Sequence, residues 1–376
     1  MLASDQPIPV HVAYGHHIDP SLNAVFGFQD RSLALQIVSI SFWNMMQVGP
    51  WFFQPQATRE QRVSVTLSAT NAREIVLPAH MHDTLQQLAE GISALDDVPC
   101  DGTSTVWPHL QKLDFHLRYL DSLSCNVIRD VSWIMAAAPA LESVALYSPN
   151  ITPNYVPTGL STLIFTVQNK FATSTLQNNI AAANLRTLTI DGAHSTGSYD
   201  QPPAFQTMIG ALLAAAPALV NLRELNVRGF GPKSCLADAV VALVALSSLR
   251  TVRFLVFGDG DVRREAALLS RILEAANIGL RTLGLICMTS PAQRRGPLPS
   301  FVVEVLAKAR LPCLRTVFYA ARRTSSGRLF PPLVTRPNTQ KLKAVCMLRR
   351  MKLEVVELAS NQTWPGDVFN SYHAMF

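Results

Sequence analysis

The chain has 376 residues, a formal net charge of +6, 48% apolar residues and 15% charged residues. That apolar content excludes wholesale disorder, and 18 Gly with 24 Pro exclude collagen-like and low-complexity classes. The length accommodates two ordinary domains or one elongated repeat domain.

Taken from the N-terminus, residues 1–17 lack a basic n-region and a long apolar h-region, so no secretory leader is expected. The adjacent His16 and His17 carry no ligand pattern. A strand-like run, Glu74–Leu77, precedes His80, His82 and Asp83. A His-x-His after a strand resembles the metal-binding start of amidohydrolase barrels. Later strands should then supply further His and Asp ligands. Only His116 and His194 lie close after candidate strands, so capping or surface histidines are expected, with no metal and no other cofactor.

From residue 110 onward one phrase recurs, Leu-x-x-(Leu/Val)-x-apolar. Its copies begin at Leu110, Leu141, Leu160, Leu185, Leu222, Leu249, Leu280 and Leu314, spaced 19 to 37 residues apart. The last five begin Leu-Arg-(Thr/Glu). The hexapeptide Ala136–Leu141 recurs identically as Ala214–Leu219. Each copy ends an apolar helical run (Val127–Ala138 and Phe205–Ala216), because proline disfavours continuation of the helix. Leu236–Leu246 and Arg263–Ala276 read as further helices. Period-2 phrases alternating with helical runs predict parallel strands joined by crossovers. Such a strand buries phrase positions 1, 4 and 6 and turns 3, 5 and 7 outward. No unit buries its apolar face alone, so neighbours must stack into a solenoid.

These phrases resemble the irregular repeats of fungal F-box-like leucine-rich-repeat proteins. The resemblance covers roughly 61–320, extending to 359. It implies an α/β leucine-rich-repeat solenoid, with parallel strands on a concave face and helices on a convex one. The usual Asn or Cys eight residues after the first Leu is missing, its place taken by Gln168, Ala193, Phe230, Phe257 and Met288. Ahead of the repeats, Pro20, Leu22, Val25, Phe26, Leu33, Val38, Ser39 and Trp43 follow the order of an F-box, several residues short and without its basic residues. The expected organisation is an N-terminal cap or eroded F-box over 1–60, a solenoid over 61–359 and a tail over 360–376. Leu353–Leu358 reads as a closing strand, and Pro291–Asn338 as rich in long loops.

Two surfaces follow. The outward strand face should present Asp114, His116, Thr189, Asp191, Asn226, Arg228 and Arg253 to a protein partner. One residue after each leading leucine, Arg186, Arg223, Arg250, Arg281 and Arg315 should align in a column, a candidate anion site. From Pro291 to Lys352 there are 14 Lys/Arg against the single acid Glu304, whereas the rest of the chain has 18 against 25 acids. This basic stretch points to an acidic partner, nucleic acid among the alternatives.

No catalytic signature is present. Gly229–Ser234 resembles a phosphate loop only superficially, because its spacing is wrong and Pro232 removes a backbone donor. The six cysteines form no CxxC pair, which suits a reducing compartment. The most apolar stretch, Met208–Leu222, is shorter than the ~20 residues of a membrane span. The sequons at Asn150 and Asn361 therefore carry little weight. The expectation is a non-enzymatic recognition protein of the cytoplasm or nucleus. The resemblance adds substrate selection for a ubiquitin ligase and contact with a ligase adaptor.

Overall fold

The structure is a computed structural model. It describes residues 10–14, 37–42, 66–78, 105–116, 129–146, 151–152, 155, 157–166, 184–191, 210, 213–228, 236–257, 262–288, 298–322 and 337–358. The chain divides into two compact units, Met1–Asn184 and Leu185–Phe376.

In the first unit the strands are β1 (Val10–Tyr14), β2 (Ile37–Phe42), β3 (Glu74–Pro78), β4 (Lys112–His116), β6 (Ser143–Leu146) and β8 (Thr162–Thr166). They pair in that order, each parallel to the next. A small parallel pair, β5 (Arg129–Asp130) with β7 (Ile151–Thr152), stands apart from them. Helix α1 (Ser132–Ala136) lies on the crossover from β4 to β6. Two strands therefore precede residue 61, where the repeats were expected to begin. The rest of 1–60, including most of the F-box-like segment, lies outside the described residues.

The second unit alternates strictly. Its strands are β9 (Thr187–Asp191), β10 (Glu224–Arg228), β11 (Thr251–Phe257), β12 (Thr282–Met288), β13 (Thr316–Arg322) and β14 (Lys352–Leu358). All pair in parallel, each with the next. Between the later strands run α2 (Leu236–Val244), α3 (Val262–Ala275), α4 (Ser300–Lys308) and α5 (Pro337–Leu348), each packed on the next helix in sequence. A parallel pair cannot be closed by a tight hairpin, and these helices supply the return path. The architecture is that of an α/β leucine-rich-repeat solenoid.

The phrase explains the core. All eight copies become strands, β4, β6 and β8 through β13, and positions 1, 4 and 6 are buried in every one. None of these side chains is more than 5% exposed. Seven of the eight phrases are entered by the same turn; the residue three before Leu185 lies outside the described ones. The leading leucine N–H donates to the carbonyl three residues back, as in Leu110 to Trp107, Leu249 to Leu246 and Leu314 to Leu311, at 3.1–3.3 Å. The helices close the other side of the core with side chains at short spacings, such as the buried Thr339, Leu342 and Cys346 on α5. Where the indole of Trp107 is buried in the first unit, its Nε1 donates to the Thr66 carbonyl at 2.8 Å, which satisfies its one donor.

Two sequence expectations are corrected. Within the stretch read as loop-rich, Ser300–Lys308 is a helix that buries Phe301, Val302, Val303 and Leu306. Its start carries no side-chain cap, so the usual entry signal is missing. The run Val127–Ala138, read as helical, is also different: Arg129–Asp130 is strand β5, and the helix spans only Ser132–Ala136.

Candidate partner-binding surface

On the outward face, alternation along each strand and parallel register between strands together place the polar side chains. In the first unit Glu74 of β3 stands opposite Lys112 of β4. Lys112 Nζ donates to Glu74 Oε1 at 2.6 Å and lies 3.2 Å from Asp114 Oδ2. Asp114 has Val76 and Ala145 as its register neighbours. Those apolar walls and the overlying lysine leave it 6% exposed. Burial pushes its carboxyl up to about 6, against the opposing pull of Lys112. Burial also penalises the Lys112 ammonium, but Asp114 and Glu74 outweigh it and hold the pKa above the ordinary lysine value.

In the second unit, Thr189, Asn226, Arg253, Gly284, Phe318 and Glu354 form one register row across six strands. Thr187, Glu224, Thr251, Thr282, Thr316 and Lys352 form the row before it. Asn226 Nδ2 donates to Thr189 Oγ1 at 3.3 Å and to Glu224 Oε1 at 3.0 Å. Arg253 Nη1 pairs with the same Glu224 oxygen. Three strands thus hold one connected set, with Glu224 as its shared acceptor. Gly284 supplies the floor for the arginine stem: a Cβ there would stand 2.7 Å from Arg253 Cγ.

Asp114, Thr189 and Asn226 were expected to face solvent, yet they are 6%, 3% and 4% exposed. The side of the sheet is as expected. Strands about 4.8 Å apart let longer neighbours such as Lys112 and Arg253 lie over shorter side chains. Arg253 is half-exposed and stays available. His116, Asp191 and Arg228 end their strands, and their side chains lie outside the described residues. Glu74, Glu224 and Gly284 complete the face. Glu74 occupies the same phrase position as Lys112, a signal that was readable once the β3 phrase was aligned.

The arginine column is in register. The N–H of Arg223 donates to the carbonyl of Arg186, Arg250 to Arg223, Arg281 to Arg250 and Arg315 to Arg281, at 2.8–2.9 Å. Arg186, Arg223, Arg281 and Arg315 are exposed. Arg250 instead turns back, its Nη1 donating to the carbonyls of Ser247 and Leu249 at 2.6 and 2.9 Å.

Among the described residues no group of His, Cys, Asp and Glu could hold a metal ion. His80, His82, Asp83 and Gly229–Ser234 lie outside them. Cys313 and Cys346 are free thiols. Burial pushes the Cys346 thiol up to about 11, which keeps it protonated. No helix among the described residues is long and apolar enough to cross a membrane.

No family model matches the chain, and no curated protein matches it. Among solved structures, it is similar to the leucine-rich repeat-containing protein LegL7 from Legionella pneumophila. That likeness has 12% identity and a TM-score of 0.45, covering 97% of this chain and 96% of the other. A second likeness is to the complex of Rad7 and Elc1 in yeast, with 14% identity and a TM-score of 0.30, covering 81% of this chain and 75% of the other.

Proposed function

We propose that this chain is a non-catalytic protein-recognition module that engages its partner with the outward strand face of the second unit. The observation that carries the reading is the connected set of Thr189, Asn226, Glu224 and Arg253. It fixes a charged, half-exposed arginine on a rigid sheet before any partner arrives. Fixing a side chain beforehand lowers the ordering cost of binding. Such a set recognises a surface without supplying a nucleophile, and Glu224 is engaged as an acceptor rather than poised as a base. The finer reading, selection of a substrate for a ubiquitin ligase, draws on the F-box-like residues between Pro20 and Trp43.

Quantitative affinity capture from native lysate tests both levels. A protein retained by the wild type and lost with Arg253→Glu supports the face as the docking site. Retention unchanged by that substitution, and by Glu224→Lys on the same face, removes it. For the ligase reading, Trp43→Ala should release the adaptor while sparing the face-dependent protein. Point substitution is preferable to truncation, because β2 pairs directly with β3. Against the nucleic-acid alternative, one arginine of the basic stretch serves the fold itself. The Arg349 guanidinium donates to the carbonyls of Leu306 and Ala309, closing the C-terminal end of α4.

A further inference from the structure

The strand-entry edge of the second unit carries a charge pattern that its outward face does not. On the face, Glu224 and Glu354 accompany the cations, and Arg253 and Lys352 are paired with them. At the edge, the residues between each preceding element and its strand contain the five ladder arginines together with Arg310, Arg349 and Arg350. Among the described residues those segments hold no Asp or Glu. The equivalent ladder positions of the first unit are Arg73, Gln111, Glu142 and Ser161, so the pattern belongs to the second unit alone. Over its whole length the second unit has 24 Lys/Arg against 12 Asp/Glu, and the first has 8 against 14.

A row of like charges at strand spacing is self-repelling, and the chain provides no described acid to offset it. Backbone bonds hold the row in register. Five rungs about 4.8 Å apart span roughly 19 Å, the length of about six residues of extended peptide. Exposed apolar side chains lie in the same segments as the arginines. Val220 is 68% exposed and stands in the turn before Arg223, and Ile278 is 73% exposed before Arg281. Met347 and Leu348, 69% and 86% exposed, end α5 just before Arg349. Arginine interleaved with apolar groups and depleted of acids is the composition of a protein-binding patch. A nucleic-acid backbone would neutralise the arginines but leave Val220 and Ile278 wet. No aromatic side chain lies in these described segments to stack a base.

We propose that this edge is a second docking site, which binds an extended polypeptide segment of alternating acidic and apolar residues. Carboxylates would meet the guanidiniums of Arg186, Arg223, Arg281 and Arg315, and aliphatic side chains would cover Val220 and Ile278. The site is separate from the strand face and stands or falls without it.

The test is fluorescence anisotropy on the full chain with a labelled peptide of Asp and Leu residues long enough to span the ladder. A matched Asn/Leu peptide and a labelled DNA duplex are run alongside. The double reversal Arg223→Glu/Arg281→Glu should weaken binding of the Asp/Leu peptide by roughly tenfold or more. The double reversal Lys341→Glu/Lys343→Glu on α5 makes the same net charge change and should alter affinity by less than about twofold. Val220→Ser/Ile278→Ser should weaken it severalfold without a change in charge. All three pairs are exposed, so circular dichroism should show wild-type folding. Failure of the peptide to bind, equal loss in both charge reversals, or tighter ladder-dependent binding of the duplex than of the peptide would each overturn the proposal.

Discussion

Asp114 shows how burial and pairing compete at a single side chain. Its folded pKa of about 6 lies above the ordinary value of 3.8. Between those values the folded state holds a proton that the unfolded state has released. The contribution to stability is therefore favourable at low pH and is lost as the pH rises through that window. A shift of this size corresponds to a penalty on the order of 2–3 kcal/mol above pH 6. Asp114→Asn should remove it. Urea titrations should find the variant gaining on wild type between pH 4 and pH 7, and an equal difference at both would refute the assignment. Gly284 makes a second prediction at this scale. Alanine suits a strand better than glycine, but the new methyl would strike the Arg253 stem. Gly284→Ala should cost ~1–3 kcal/mol as overpacking, and Arg253→Ala should relieve most of that cost. A double-mutant cycle with no coupling would show that the stem does not rest there.

Among the elements, the strands were legible and their entry turns were not. Leucine at phrase positions 1, 4 and 6 has one physical use, and the eight copies all became strands. β1 and β2 escaped because their sequences, VHVAY and IVSISF, contain no leucine. Helix α4 escaped because proline-rich and serine-rich flanks read as loop, and no capping side chain marks its start. The apolar run Val127–Ala138 misled in the opposite sense, since Arg129–Asp130 within it is strand. Outward-facing positions were legible as to side but not as to exposure, because alternation fixes direction while the length of the neighbouring side chain fixes cover. The usual asparagine eight residues after the first leucine is missing from the sequence, yet an asparagine bonds loop backbone elsewhere. Asn277 Nδ2 donates to the carbonyls of Leu246 and Leu249 in the preceding repeat, at 2.7 and 3.1 Å. Its Oδ1 accepts from the Gly279 N–H at 2.7 Å, forming a local turn. Asn277→Ala removes all three bonds and should destabilise the chain by roughly 1–3 kcal/mol. Asn277→Asp keeps the accepting oxygen but brings a carboxylate against two carbonyls, so it should not rescue. Thermal or urea unfolding that ranks Asp as equal to wild type would exclude this role.

At the scale of the whole molecule, stability should be graded along the repeats rather than uniform. In a stacked array each repeat gains only from its neighbours, so local opening follows the strength of the nearest interfaces. In the second unit β11 and β12 pair over seven register positions, and so do β13 and β14, whereas β10 and β11 pair over four. In the first unit β4 and β6 pair over four. Helices α2 to α5 cover the later repeats, each packed on the next. The interior of the β11–β14 array should therefore open last. Native-state hydrogen exchange should find the amides of β12 and β13 the slowest in the chain and those of β4 and β6 faster. Leu283→Ala, which empties a fully buried position in the middle of that array, should cost about 2–5 kcal/mol and accelerate exchange in β11 and β13 as well as in β12. If the loss stayed confined to β12, the repeats would be holding themselves together singly, and the stacked core would not be the source of their order.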